Sequence, residues 1–393
     1  MKSILSVLLG AVASLPVASS AADWLQFRGP NASAVSADDV SPGPKLATAW
    51  SVDLPGRGLS SPIIVGDKVF LTASSGPEQE TLHVLCFSAK DGSKLWERTL
   101  SATGRTMSHK KTCVAAPTPC SDGELVYALY SSNDLFAFDL NGNLRWLRGL
   151  TFDYANASNS LGMASSPVVV GKTVVVQSEN DSESIALGID TATGKNRWKM
   201  DRPKAANWTS AVVWKGAVAL QSKTGLTGID PMTGKVKWDY QDGAATITSS
   251  AVTPDGIYIP SNGLTAILPE NQSTSQLWRA EGLKPGTPSP LVIGDAIYVV
   301  NGAGVMVKAS IKDGEEQWKL RMKGPFSGSG VASGQFIYIA NERGQFQVID
   351  TTAEEGEVVQ MIELDDTILA TPAISGGAVF IRSDAKLWKL AGE

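Results

Sequence analysis

Residues 190–198 read "DTATGKNRW", and forty residues later 230–238 read "DPMTGKVKW". Each is a turn. An aspartate opens it, Gly194 or Gly234 supplies a left-handed residue, and Lys195 or Lys235 starts a new extended run towards Trp198 or Trp238. One such stretch is an ordinary hairpin. Two at a fixed interval mean that the chain is built of repeats, and the period decides the fold.

Tryptophan measures that period. Trp50, Trp96, Trp146, Trp198, Trp238, Trp278 and Trp318 lie 46, 50, 52, 40, 40 and 40 residues apart. Gly92, Gly142, Gly194, Gly234 and Gly314 each stand four residues before one of them. A second marker, two small residues and then Pro or a relative, recurs in the same period. It ends at Pro62, Pro117, Pro167, Ala211, Ala251, Pro290, Gly330 and Pro372, eight times in all.

The text between markers is extended. "SSPVVVGKTVVVQSENDSESIALGIDTATGKNRWKM" holds four Val/Ile-rich runs separated by turn residues. Four strands per ~40–50 residues, without helical periodicity, predict an all-β fold, an eight-bladed β-propeller of four-stranded antiparallel blades. The last unit supplies three strands, and "PKLATAWSVDL" near the start is a lone tryptophan strand. The N-terminal strand is therefore expected to complete the last sheet and close the ring. The seventh unit lacks its tryptophan, with Val359 near the expected place. A blade cannot bury its own faces, so these tryptophans are assigned to docking between blades.

Lys2 and the apolar run after it end in Ser20, Ala21 and Ala22, the pattern of an export leader over 1–22. Residues 23–44 form an extension, and 45–393 a single propeller. No cysteine stands at the mature N-terminus that the leader would leave, and no later run is long enough to span a membrane. A periplasmic or extracellular protein without lipid anchor or transmembrane segment is expected. The formal net charge of −5, or −6 without Lys2, argues against nucleic acid as partner. If "CVAAPTPC" is a strand, Cys113 and Cys120 stand about 23 Å apart, beyond the roughly 7 Å a disulfide tolerates. His83 reads as a strand residue and "SENDSES" at 178–184 as a solvated hairpin loop.

The two opening stretches, with "DWLQFRGPNASAVS" and the second and third units, resemble the PQQ-like β-propeller repeat family. That family includes PQQ-dependent alcohol dehydrogenases and BamB-type outer-membrane assembly factors. The resemblance implies protein partners in the cell envelope and a secreted, non-catalytic binding or scaffold propeller, taken here as a monomer. Its dehydrogenase branch implies the alternative, a PQQ-dependent oxidoreductase or a degenerate relative of one. That branch holds its quinone against a disulfide of adjacent cysteines and a calcium or lanthanide on carboxylates. This chain has no adjacent cysteines, so no cofactor or metal is expected, with PQQ and calcium as the alternative. A carbohydrate-binding propeller is a further alternative, and no catalytic residue is assigned.

A propeller's D–A and B–C connections share one face. The longer ones here are 74–81, 101–112, 151–163 and 178–184, all in the first three blades. Arg105, His109, Lys110 and Lys111 form a basic cluster within them, and Arg57, Asn159 and Trp208 lie just before small-Pro markers. These seven residues are the candidate binding site, for a partner with negative charge.

Overall fold

The computed structural model describes residues 22–38, 41–158, 161–352 and 354–392. The expected leader, apart from Ala22, lies outside them, as does Asn159. Eight four-stranded antiparallel sheets make up the molecule. We number them as blades 1–8 and letter their strands A to D from the channel outwards. Blade 1 spans 63–101, and blades 2–7 follow at 120–149, 168–201, 212–240, 251–280, 291–321 and 331–363. Blade 8 takes strands A to C from 373–392 and strand D from Leu46–Asp53, which pairs antiparallel with Lys386–Gly392. Its strand A packs beside strand A of blade 1 and closes the ring.

The repeated Asp–Gly–Trp grammar has a physical cause that crosses blade boundaries. Gly194 adopts φ +69°, and a Cβ there would sit 2.8 Å from the indole of Trp146, in the preceding blade. Gly92 meets Trp50 in this way, Gly142 meets Trp96, Gly234 meets Trp198, and Gly314 meets Trp278. In four of these five pairs, all but that of Trp50, the indole N–H then reaches a carbonyl of the same turn, as from Trp146 to Thr191 at 2.8 Å and from Trp198 to Pro231 at 2.8 Å. A small left-handed residue is thus required by the neighbour's tryptophan, not by the one that follows it. The aspartate holds the turn. Asp190 accepts the amides of Ala192 and Thr193, and Asp230 those of Met232 and Thr233.

Blade 5 breaks the pattern. Its C–D turn is the two-residue Asn271–Gln272 with no glycine, and Trp214 packs edge-on against Trp238 instead, with ring centroids 6.4 Å apart. In blade 7 a bulge between Val348 and Ile349 puts Gln360, not Val359, at the tryptophan position. Gln360 holds the next blade by both ends of its amide, accepting from the Leu46 N–H and donating to the Leu46 carbonyl, each at 2.8 Å.

Strands A carry a second ring. The amide of Ser61 donates to the Thr118 hydroxyl (2.9 Å), that of Thr118 to Ser166 (3.0 Å), and so on through Ser210, Ser249, Ser289 and Ser329 to Thr371. One hydroxyl per blade surrounds the channel. This ring corrects two of the sequence markers. In blade 2 the marker residue is Thr118 before Pro119, two places beyond "AAP". In blade 5 it is Ser249, with Ser250 in the proline position. "CVAAPTPC" is irregular backbone up to Cys120, because Pro117 and Pro119 cannot join a ladder on both sides. All three cysteines are free and buried.

The extension is part of the core. Trp24 pairs with Ile64 of blade 1, the Leu25 carbonyl accepts from Ser121 of blade 2, and Val35 bridges to Ala332 of blade 7. It satisfies backbone groups that the channel-lining strands A would otherwise leave bare. At its apex Arg28 is fully buried and donates to the carbonyls of Ser250 and Pro290 in blades 5 and 6.

Candidate functional site

The channel narrows to a pocket of about 390 Å3. Its floor is Phe27 of the extension together with the hydroxyls of Thr118, Ser166, Ser210, Ser249, Ser289, Ser329 and Thr371. Its wall is apolar, built by Leu59, Leu161, Trp208, Ile247 and Leu369 from successive D–A connections. His109 and Lys111 stand at the mouth. These connections emerge on the face picked out from loop lengths.

The long connections interlock there. His109 donates its amide to the Leu161 carbonyl (2.8 Å), and Trp208 donates its indole N–H to that of Gly162 (2.6 Å). Gln79 accepts the Val114 amide (3.1 Å), which ties 74–81 to the irregular segment after 101–112. Asn180 and Ser182 both donate to the Asn156 carbonyl and so join 178–184 to 151–163. "SENDSES" is solvated only at its tip, Asp181 and Ser182. Glu179 is buried and paired with Arg202 at 2.8 Å, and Asn207 donates to its other oxygen at 3.1 Å. Burial pushes the Glu179 carboxyl up, and Arg202 and Asn207 pull against it.

Among the named site residues, Trp208, His109 and Lys111 line one pocket, while Arg57 lies behind them. Arg57 pairs with Asp384 at 3.1 Å and donates to the Lys110 carbonyl at 2.7 Å. Lys111 crosses the mouth to Glu342 of blade 7 at 2.9 Å. Two of the four arginines and lysines among the named site residues are therefore already neutralised. Arg105 and Lys110 project outwards, with no carboxylate partner among the described residues. Around them Met107, Phe152, Leu161 and Ile247 are exposed, Phe152 to 79%. Loop length alone could not reveal these apolar side chains. The floor hydroxyls were visible in the sequence, but as a blade marker, and Phe27 and Arg28 stood unassigned within "FRGP".

His83 sits in blade 1, its Nδ1 2.9 Å from Glu97 and its Nε2 2.7 Å from the Ser75 hydroxyl. The arrangement has the order of a nucleophile relay. The Glu80 carboxylate, however, lies against Gly76, next to Ser75, where it opposes any developing oxyanion. Lys94 shares Glu97 at 2.7 Å, so the chain serves to tie strands B, C and D together.

Three overlapping matches to the profile of the family described as "Outer membrane protein assembly factor BamB" cover residues 45–164, 155–318 and 312–393. The chain belongs to this BamB family. The BamB of Bordetella pertussis is 27% identical over 171 residues, which spans 42% of this chain and only 36% of that protein. The crystal structure of BamB from Moraxella catarrhalis superposes with a TM-score of 0.65, 16% identity, and coverage of 88% of this chain and 98% of that one. A europium-containing methanol dehydrogenase gives 0.69 at 12% identity, covering 94% and 98%. The quinohemoprotein alcohol dehydrogenase of Comamonas testosteroni gives 0.68 at 12%, covering 94% and 81%. At such identities these likenesses show the shared propeller.

The residues present do not fit a metal-held quinone. The pocket lining contains neither carboxylate nor cysteine, and no group of three His, Cys, Asp or Glu among the described residues could hold a metal. Burial pushes the Cys86 thiol up to about 12 and the Cys113 thiol to about 11, away from redox chemistry.

Proposed function

We propose that this BamB-family protein is a non-catalytic binding propeller of the cell envelope, exported without a lipid anchor. Its role is to hold a protein partner during outer-membrane protein assembly, as the name of its family describes. Among the described residues, no helix is long and apolar enough to cross a membrane. The observation that carries the reading is the interlocked shelf on the D–A face. Exposed Met107 lies there in the connection that carries Arg105 and Lys110, and exposed Phe152 in the next D–A connection. An exposed aromatic anchor with arginine nearby is the composition of a binding hot spot, and the free cations favour an acidic partner surface.

The test is a triple variant, Arg105→Glu, Lys110→Glu, Phe152→Ser, first shown to melt with the parent. Captured from envelope extract, it is expected to retain less than about a tenth of the parent's partner, since a lost hot spot is worth ~2 kcal/mol or more. Full retention by the folded variant would remove the shelf as the binding surface.

A further inference from the structure

The floor of the central pocket holds more hydrogen-bond donors than the protein uses. Each ring hydroxyl from Thr118 to Thr371 accepts an amide N–H from the preceding blade. Among the described residues none of these seven donates its own proton to a protein acceptor, although each is more than nine-tenths buried. Buried hydroxyls of this kind normally find a partner. Seven unspent donors facing one cavity describe a site for an acceptor.

A second, independent feature supplies the charge. Arg28 follows Phe27, which forms part of the same floor, and its side chain is fully buried. It touches only the carbonyls of Ser250 and Pro290, each one residue beyond a ring hydroxyl, and its Nε has no partner. No carboxylate pairs with it among the described residues. Desolvation alone lowers it to about 10, so it stays cationic at neutral pH. An isolated buried guanidinium is expensive unless something anionic answers it.

The wall has the opposite character. Leu59, Leu161, Trp208, Ile247 and Leu369 leave an apolar cylinder above a floor of hydroxyls, with Arg28 buried behind it. The volume of about 390 Å3 lies in the range of small-molecule sites. Phe27 of the extension lies at the floor, and the D–A connections line the wall and mouth.

We propose that the central pocket binds a small organic acid, its carboxylate down on the hydroxyl ring above Arg28 and its apolar body against Trp208, Ile247 and Leu369. The site opens beside the shelf and shares Leu161 and Ile247 with it, but its floor of hydroxyls is its own, and binding there does not depend on a protein partner.

Octanoate, 1-octanol and inorganic phosphate are the probes, titrated into the full chain by calorimetry and followed by tryptophan fluorescence. Octanoate is expected to bind at one site, at least tenfold tighter than either 1-octanol, which lacks the charge, or phosphate, which lacks the apolar body. Ile247 is 55% exposed at the rim, so Ile247→Trp is a fold-neutral plug and is expected to weaken octanoate at least tenfold. Arg28→Gln, if it folds, is expected to erase the preference for octanoate over 1-octanol. Failure of octanoate to saturate, equal affinity for octanoate and either control, or indifference to Ile247→Trp would each overturn the proposal. The two native-protein comparisons stand whether or not the Arg28 variant folds.

Discussion

Gly194 and Gly171 both have positive φ, +69° and +57°, yet their surroundings differ. A Cβ on Gly171 would meet nothing within 4 Å, while one on Gly194 would press on the Trp146 indole. Gly171→Ala is therefore expected to lose about 1 kcal/mol from the left-handed backbone alone. Gly194→Ala adds overpacking to that strain and is expected to lose about 2–4 kcal/mol. Paired denaturant melts check this, and equal losses would mean that the glycine serves only the turn. Trp198→Ala should cost about 3–5 kcal/mol, the usual loss for a core aromatic; an unchanged melt would remove the docking role. The sequence displayed every one of these residues, yet not which tryptophan each glycine serves, because that contact crosses blades. Nor did it show the burial of Arg28. A long charged side chain near a terminus is ordinarily solvated, and only the folded channel reverses that.

Among the elements, the C–D hairpins were the most legible and also the most sensitive to acid. Asp190 is held below the usual carboxylate range first by the Thr193 hydroxyl, despite some desolvation, and by the Thr193 amide. Asp139 is lowered by the side chain and then the amide of Asn143. A carboxylate whose folded pKa is depressed contributes stability that is complete above its unfolded pKa, near 3.9, and is lost as pH falls through the folded value. Stability is thus expected to decline below about pH 4, and the pair Asp139→Asn, Asp190→Asn to flatten that acid limb in denaturant melts at pH 2–5. An acid limb identical to the parent's would show that these caps do not set it. The strand-A markers were less legible. Small residues are common in a β-rich chain, so "AAP" and "SSA" offered registers two and one places off. Only the hydroxyl-to-amide ring distinguishes Thr118 and Ser249 from their neighbours.

For the whole molecule, the count of blades and the closing strand followed from the small-Pro marker, the tryptophan spacing and the unequal ends of the chain. The plug formed by the extension did not, because it touches blades all round the channel through backbone groups, Arg28, Asp23 and Asp38 and a few buried apolar side chains, without a periodic signal. Deleting residues 23–54 would remove both the plug and strand D of blade 8, and leave Lys386–Gly392 as an open edge. Concentration-dependent aggregation by light scattering is the expected result; a monomer with the parent's melt would contradict closure by that strand. The central functional claim is that one face, the D–A face of the first three blades, holds the protein partner. Its most direct test places a photocrosslinking residue at Phe152 on that face or at Asp255, an exposed A–B turn on the opposite one. Irradiation in native envelopes is expected to give discrete protein adducts from position 152 and none from 255; adducts from 255 alone, or equally from both, would contradict the account.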